Sequence, residues 1–185
     1  MELTEHKISR REIYCGKLLH VVSDEVRLPN GELADREFCL HVGAVCIIPI
    51  LPSGEVVVER QFRYPHGRVF LEIPAGKLDY AGEDIASAAA RELREETGAV
   101  AGKLSYLGAI DTTPALINER IHLFLAEELT FGERELDDDE FLDVERIPLS
   151  ELYRMVMSGE IADAKTQIAV LKAAAIHPEL LGKKS

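Results

Sequence analysis

The hydrophobic positions of this chain first form long apolar runs in its second quarter. Residues 42–50 are almost wholly apolar, and after the turn at residues 52–54 a second run spans residues 55–62. Two such runs joined by a short turn are typical of strands in a buried sheet. The pattern therefore predicts that the main domain starts at about this point.

A shorter strand pattern precedes these runs. Asn30-Gly31 lies between apolar positions on both sides, and this dipeptide is the strongest short-range signal for a hairpin turn. We predict a small β-hairpin element over residues 1–40 and a main domain over residues 41–185.

A central helix is predicted over residues 85–97. Asp84 can accept a hydrogen bond from the first helical turn, and Gly98 can adopt the left-handed conformation that ends a helix. Residues 74–82 before it, with two glycines and a proline, are predicted to form a loop. The same reasoning predicts strands over residues 69–73, 103–110, 119–127 and 141–147, and closing helices over residues 149–157 and 164–175. This order of elements predicts an α/β sandwich around a mixed sheet.

Charge narrows the range of partners. The chain has 185 residues and a formal net charge of -12, so a nucleic acid would meet a repulsive average field. A small anionic substrate could still bind if divalent cations lay between its phosphates and the carboxylates of the protein. We expect a small-molecule substrate and no nucleic-acid partner.

The three cysteines indicate a reducing compartment. Cys15, Cys39 and Cys46 are odd in number and have no CxxC spacing, which argues against a disulfide framework and a zinc site. The N-terminus lacks an apolar signal core, and no run of 18 apolar residues occurs. We expect a cytoplasmic protein without a membrane partner.

Three glutamates at the end of the predicted helix are the first candidate for chemistry. Glu92, Glu95 and Glu96 share one helix face, where like charges repel one another and oppose the helix dipole. A solvated helix end would account for any two of them. A divalent ion would instead turn this repulsion into shared coordination, and carboxylate oxygens favour Mg²⁺ or Mn²⁺.

A wider pattern around these glutamates resembles the Nudix box. From Glu83, seven residues lead to Arg91-Glu92-Leu93, then Glu95-Glu96, Gly98 and Ala99, and each fixed position of the box is matched. Six residues rather than five separate Gly76 from Glu83, so the loop before the helix is one residue longer than the family pattern. The chain is thus identified as resembling the Nudix hydrolases, which implies a Nudix-type α/β/α sandwich.

The resemblance implies roles for the residues of the box. Glu92 and Glu96 would be the main ligands of Mg²⁺, or of Mn²⁺ in its place, and Glu95 would be a further ligand. The backbone carbonyl of Ala75 would be another, although the longer loop puts its position in question. Arg91 would brace the acidic cluster by ion pairing.

Segments outside the box resemble the ADP-ribose pyrophosphatase branch of the family. Arg63, in Gln-Phe-Arg, would contact the phosphates or the terminal ribose of the substrate. Glu72, in Glu-x-Pro-Ala-Gly, would lie at the metal or phosphate site. Leu116 follows Thr-Pro-Ala, at the place of a substrate-binding loop in the branch, and would contact the substrate. The branch has glycine where this chain has Ala115.

The branch also implies a mechanism and an assembly. A metal-activated water would attack one phosphorus, with Glu140 as the first choice for the catalytic base and Glu95 as the rival. The products would be AMP and ribose 5-phosphate. The N-terminal element would cross to a partner subunit in a homodimer and help to build the adenine pocket; Tyr14 and Phe38 could stack on the base, although packing is the alternative role for each.

Other functions stay open at this point. GDP-mannose or another sugar nucleotide could be the substrate, because no residue reads the base unambiguously. A noncatalytic nucleotide-binding module is the other alternative, although such modules usually have an eroded box.

Overall fold

A computed structural model describes residues 2–136 and 141–182. The N-terminal part forms its own antiparallel sheet, in the order β1-β2-β3. Its strands are β1 (His6–Cys15), β2 (His20–Arg27) and β3 (Leu33–Leu40). The hairpin turn at Asn30-Gly31 is confirmed, since Gly31 has a φ of 89° and its N–H donates to the Leu28 carbonyl at 2.9 Å.

The main part contains two further sheets. The first has the order β7-β4-β9-β8, formed by Ala75–Lys77, Ala44–Pro49, Arg120–Phe131 and Ala99–Asp111. Strands β4 and β9 are parallel and the other pairs are antiparallel, so the sheet is mixed, as predicted. The second sheet is antiparallel and has the order β10-β5-β6, formed by Leu142–Pro148, Glu55–Arg63 and Arg68–Glu72.

Helices cover both faces of the mixed sheet. Successive residues of β4 point to opposite faces, so Val45 and Ile47 pack in the cluster with helix α1 (Ile85–Thr97). Cys46 and Ile48 pack on the other face, with α2 (Leu149–Ser158) and α3 (Ala164–Ile176). All four side chains are fully buried, and each of the larger ones contributes about 1.5–3 kcal/mol to stability. The predicted sandwich is confirmed.

Helix α1 begins and ends at the residues that the sequence predicts. The Asp84 side chain accepts a hydrogen bond from the Ser87 N–H at 2.8 Å, which satisfies an otherwise unpaired donor of the first turn. At the other end Gly98 has a φ of 71°, and its N–H donates to the Arg94 carbonyl at 2.8 Å. These caps fix the position of the last helical turn, where the glutamates lie.

Two parts of the predicted secondary structure are wrong. Residues 75–77 form strand β7 rather than a loop, because pairing with β4 holds them extended. Three residues are too few to show a hydrophobic alternation in the sequence. Strand β8 is longer than predicted. Gly102 and Gly108 interrupt its apolar pattern and a bulge lies between Tyr106 and Gly108, so the sequence pattern reveals only part of the strand. Short 3₁₀ turns lie at Tyr64–His66 and Pro178–Leu180. Among the described residues, every helix is too short or too polar to cross a bilayer.

Candidate active site

The last turns of α1 pack against the outer edge of β7. Glu96 is only 3% exposed, and its carboxylate accepts a hydrogen bond from the Ala75 N–H at 2.9 Å. Glu92 lies against Gly76 so closely that a Cβ there would come 2.0 Å from its carboxyl carbon. The glycine therefore makes room for the Glu92 carboxylate beside the strand.

The backbone of Ala75 faces these glutamates. The Ile47 N–H donates to the Pro74 carbonyl at 2.9 Å, and the Leu78 N–H donates to the Gly43 carbonyl at 3.0 Å. In the alternating antiparallel pattern these bonds leave Ala75 at a position where both N–H and C=O point away from β4. The carbonyl of Ala75 is thus on the same side as its N–H, towards Glu96.

The extra residue before Glu83 lies in a tight turn after β7. The Asp79 N–H donates to the Glu83 carboxylate at 2.8 Å, and the Glu83 N–H donates to the Tyr80 carbonyl at 3.2 Å. Gly82 in this turn has a φ of 90°, which a residue with a side chain rarely adopts. The longer loop is therefore closed by residues 79–83 and leaves the pairing of β7 with β4 intact.

Arg91 lies at the centre of the acidic cluster. Its Nη1 donates to Glu92 at 2.7 Å and to Glu95 at 3.1 Å. Its Nη2 lies 3.6 Å from Glu83 and 3.7 Å from Asp79. Partial burial on its own lowers the pKa of Arg91, but the neighbouring carboxylates outweigh it and the pKa is raised. The guanidinium thus stays charged and holds the carboxylates together.

Glu95 occupies a different environment from Glu92 and Glu96. Its side chain is 28% exposed and lies 3.7 Å from the guanidinium of Arg94 as well as beside Arg91. Glu92 and Glu96 are more deeply placed, against β7. The structure therefore brings all three predicted ligands together, with Glu95 on the solvent side.

A cavity of about 330 Å³ also borders β7. Residues Ala75–Lys77 line both this cavity and the acidic cleft formed with α1, so the strand is a shared wall. Arg63 reaches the cavity from the end of β5, and Lys165 reaches it from the start of α3. The remaining lining residues are mixed in character: His41, Ala44, Val45, Thr112, Glu119, Ile121, Asp163 and Ala164.

A buried ion-pair network holds Arg63. Glu72 is 2% exposed and accepts two hydrogen bonds from the Arg63 guanidinium, at 2.9 and 2.8 Å, and one from the Lys165 ammonium. Lys165 also lies 3.1 Å from Asp163. Burial on its own raises the pKa of Glu72, but the two cations outweigh it and the pKa is lowered. The carboxylate is thus ionised and fixes the Arg63 side chain.

The sequence points to two members of this network and not to the other two. Arg63 and Glu72 are predicted substrate-site residues, whereas Lys165 and Asp163 are not. Asp163 also caps α3, since its carboxylate accepts from the Thr166 N–H at 2.9 Å. An acidic cap followed two residues later by a lysine is too common at helix starts to indicate a site, and their approach to Glu72 is a long-range contact.

The described part of the chain places three other candidate residues, Leu116, Tyr14 and Phe38, apart from the cavity. Leu116 is 63% exposed, and its carbonyl accepts a hydrogen bond from the Cys39 N–H at 2.8 Å. Leu116 is not among the described residues that line the cavity. Glu140 lies outside the described residues. Tyr14 is 57% exposed, and Phe38 packs under the Arg10 guanidinium, 5.4 Å from the ring centre.

Comparison with known proteins identifies the family. A sequence model of the NUDIX domain matches residues 40–168, and the chain therefore belongs to the Nudix family. It is 42% identical over 170 residues to an ADP-ribose pyrophosphatase of Bacillus subtilis, with 91% of each chain covered. It is also 39% identical over 168 residues to a methanol dehydrogenase activator of Bacillus methanolicus, with 90% of each chain covered.

The fold has a counterpart among solved structures. A crystal structure of an ADP compounds hydrolase superposes with a TM-score of 0.84 at 22% identity, with 97% of each chain covered. At this identity the likeness shows the fold alone. The predictions of the family, of a Nudix hydrolase and of the Nudix fold are confirmed.

Proposed function

We propose that this Nudix hydrolase cleaves the diphosphate of ADP-ribose, releasing AMP and ribose 5-phosphate. One observation carries the proposal: β7 separates an acidic cleft from a cavity that Arg63 enters, so a diphosphate over the strand would meet both. The similarity to the ADP-ribose pyrophosphatase of Bacillus subtilis supports this choice of substrate.

The acidic cleft suits a divalent cation. Four carboxylates lie within 3.7 Å of the Arg91 guanidinium, and the Glu96 carboxylate lines the same cleft, so the cluster carries excess negative charge; the four belong to Asp79, Glu83, Glu92 and Glu95. The oxygens of carboxylates and of the Ala75 carbonyl are hard donors, which favour Mg²⁺, with Mn²⁺ as a substitute. When bound, such an ion would neutralise charge on the diphosphate and lower the pKa of water.

The chain's own residues would divide the work of binding and proton transfer. Glu92, Glu96 and the Ala75 carbonyl would hold the cation, and Glu95 would be a further ligand. Arg91 would keep these carboxylates at fixed spacing. The catalytic base is assigned to Glu140, with Glu95 as the rival, because a carboxylate is needed beside the attacking water.

On the cavity side, Arg63 would donate to a phosphate or to the terminal ribose. Its Nε and Nη2 atoms donate to Glu72, so Nη1 would be the nitrogen that contacts the substrate. Glu72 would act through Arg63 by holding the guanidinium in one orientation, which reduces the entropy lost on binding. A substrate contact from Leu116 stays a prediction.

A substrate panel tests this function. The purified protein is incubated with ADP-ribose, GDP-mannose and other sugar nucleotides in Mg²⁺, and the products are separated and identified. We expect AMP and ribose 5-phosphate from ADP-ribose at the highest kcat/KM. Faster hydrolysis of GDP-mannose would favour the alternative substrate, and no hydrolysis of any compound would favour a binding module.

Gly76→Ala is expected to disturb the metal site without unfolding the protein. The added methyl group would overlap the Glu92 carboxylate, and this side-chain end can move aside without displacing backbone. We expect a tenfold or larger rise in the Mg²⁺ concentration needed for half-maximal rate, since groups that orient metal ligands are worth about 10–100-fold. The melting temperature should change little.

Gly132→Ala is the matched control for this change. Its Cβ would meet only the Gly98 carbonyl oxygen, at 3.9 Å. Kinetics measured over a Mg²⁺ series should therefore match those of the unchanged protein. An unchanged Mg²⁺ dependence in Gly76→Ala would contradict the placement of Glu92 as a ligand.

We propose that residues 1–40 form a dimerisation element and that residues 41–185 form the catalytic domain. All ten residues of β1 are exposed, and the N-terminal sheet carries several exposed apolar side chains: Ile8, Ile13, Leu18, Leu19 and Leu33. Exposed apolar side chains gathered on one small sheet favour an interface there. A partner subunit would cover these side chains.

Light scattering after gel filtration is expected to give the mass of a dimer. The double change Ile8→Asp and Ile13→Asp should yield monomers, because a charge in an apolar interface is left without a partner. Met157→Asp, at an exposed position of α2, is the matched control and should stay dimeric. A monomeric unchanged protein at micromolar concentration would contradict the proposal.

A further inference from the structure

Three side chains with metal-binding atoms meet at the closed end of the β1-β2 hairpin. The ligand atoms of Glu12, Cys15 and His20 all lie within 4.8 Å of one another. Within residues 2–136 and 141–182 they are the one such group of histidine, cysteine and acidic side chains. Glu12 and His20 are already in contact, with 2.9 Å between Oε2 and Nε2.

A bulge in β1 produces this arrangement. Residues 12 and 15 are three apart, so they would point to opposite faces of a regular strand. The register shifts between Glu12 and Tyr14, which pair with Val22 and Val21. The extra residue resets the alternation, so that Glu12 and Cys15 share the face of His20.

Cross-strand pairing completes the group. Cys15 lies directly opposite His20 in the ladder, and opposite residues of an antiparallel pair have neighbouring side chains on one face. Glu12 lies opposite Val22, two residues from His20 and therefore on the same face. Two strands thus bring together three ligands that no local sequence motif links.

We propose that Glu12, Cys15 and His20 form a Zn²⁺ site that is separate from the acidic cleft. A thiolate, an imidazole and a carboxylate are the ligand types that Zn²⁺ takes, and three protein ligands leave a fourth position for water. One thiolate and one carboxylate balance the charge of Zn²⁺, with neutral imidazole as the third ligand. The acidic cleft offers only oxygen donors, which suit Mg²⁺, and lacks the sulfur and nitrogen donors that strengthen Zn²⁺ binding.

Binding would replace the thiol proton of Cys15 by the metal and release that proton to solvent. It would also clamp β1 to β2 at their shared turn. Strand β1 has no buried residue, so a metal bridge at one end would add to the ladder hydrogen bonds that attach it. The expected consequence is a more stable N-terminal hairpin in the presence of zinc.

The test measures binding of Zn²⁺ alone to the full chain. Calorimetry is run with millimolar Mg²⁺ present to compete with Zn²⁺ for the acidic cleft. Absorption spectra with Co²⁺ follow the band of a cobalt–thiolate bond. We expect one equivalent of Zn²⁺ per chain, a cobalt–thiolate band, and protection of Cys15 from iodoacetamide by Zn²⁺. Modification of Cys15 is read by mass spectrometry.

Substitutions then identify the ligands. Cys15→Ser should remove the cobalt–thiolate band, and Cys15→Ser, His20→Gln and Glu12→Gln should each weaken Zn²⁺ binding at least tenfold. Cys39→Ser and His6→Gln are matched controls and should bind as the unchanged protein does. Unchanged Zn²⁺ affinity in Cys15→Ser, or equal alkylation of Cys15 with and without Zn²⁺, would overturn the proposal. Both results are independent of sugar-nucleotide hydrolysis.

Discussion

Glu96→Gln is expected to lower kcat for ADP-ribose hydrolysis by roughly a hundredfold or more. Even groups that only orient a metal ligand are worth about 10–100-fold, and Glu96 is proposed to be a ligand itself. Glu96 is 3% exposed, and its carboxylate accepts a hydrogen bond from the Ala75 N–H, which holds the proposed ligand against β7. Steady-state kinetics over a Mg²⁺ series measures the loss.

The fold should survive this change. Glutamine keeps an oxygen that can accept from the Ala75 N–H, and the loss of one negative charge relieves repulsion from Glu92. Thermal unfolding without divalent ions should therefore give an equal or slightly higher melting temperature. Glu160→Gln, at an exposed glutamate after α2, is the control and should retain normal kinetics. A near-normal rate for Glu96→Gln would contradict the metal-site assignment.

Lys165→Met is expected to lower the free energy of unfolding by about 3 kcal/mol. Removing one partner of a buried ion pair leaves the other charge poorly compensated, which typically costs about 3–5 kcal/mol. The lower end applies because Glu72 would keep its bonds to Arg63. For a chain of this size the melting temperature should fall by roughly 6–12 °C.

Lys103→Met is the matched control for this loss. Lys103 lies 2.7 Å from Glu127, but its side chain is 56% exposed, and a solvated pair of this kind contributes at most about 1 kcal/mol. Urea denaturation of both variants gives the comparison. Equal, small losses at Lys165 and Lys103 would show that the Glu72 network adds no more stability than a surface pair.

The loss of unfolding free energy in Lys165→Met should also depend on pH. Because the folded pKa of Glu72 is lowered, its contribution is complete above the ordinary glutamate pKa of about 4.3 and is lost as the pH falls through the lowered value. The pKa of Lys165 is raised because Asp163 and Glu72 outweigh the opposing effect of burial. Its contribution is therefore complete below about pH 10.4 and is lost as the pH rises through the raised value. The difference in free energy of unfolding between the unchanged protein and Lys165→Met should be greatest near neutral pH.

The sequence predicts the fold well where local chemistry decides it. The caps at Asp84 and Gly98, the hairpin at Asn30-Gly31 and the continuous apolar run of β4 all depend on neighbouring residues, and the structure has each of them. Strand β7 is not predicted from the sequence, because a three-residue strand depends on pairing with its partner, β4. The predicted face of three glutamates on α1 follows from helical spacing alone.

The surroundings of the site could not be predicted in the same way. The approach of Glu72 to Lys165 joins residues 93 positions apart, and no local pattern encodes it. The cysteine spacing argues against a zinc site, whereas the zinc site that we propose depends on long-range geometry. The bulge in β1, which brings Cys15 beside His20 and Glu12, has no signature in that spacing. Long-range pairing and irregular register are therefore the two features of the structure that local sequence patterns do not predict.

A crystal structure with Mn²⁺ and a nonhydrolysable ADP-ribose analogue tests the central claim most directly. We expect anomalous density for Mn²⁺ between the Ala75 carbonyl and the carboxylates of Glu92 and Glu96, with the diphosphate over β7 and Arg63 in contact with the analogue. Mn²⁺ and the analogue bound elsewhere, with the cleft of α1 and β7 free of both, would contradict the account.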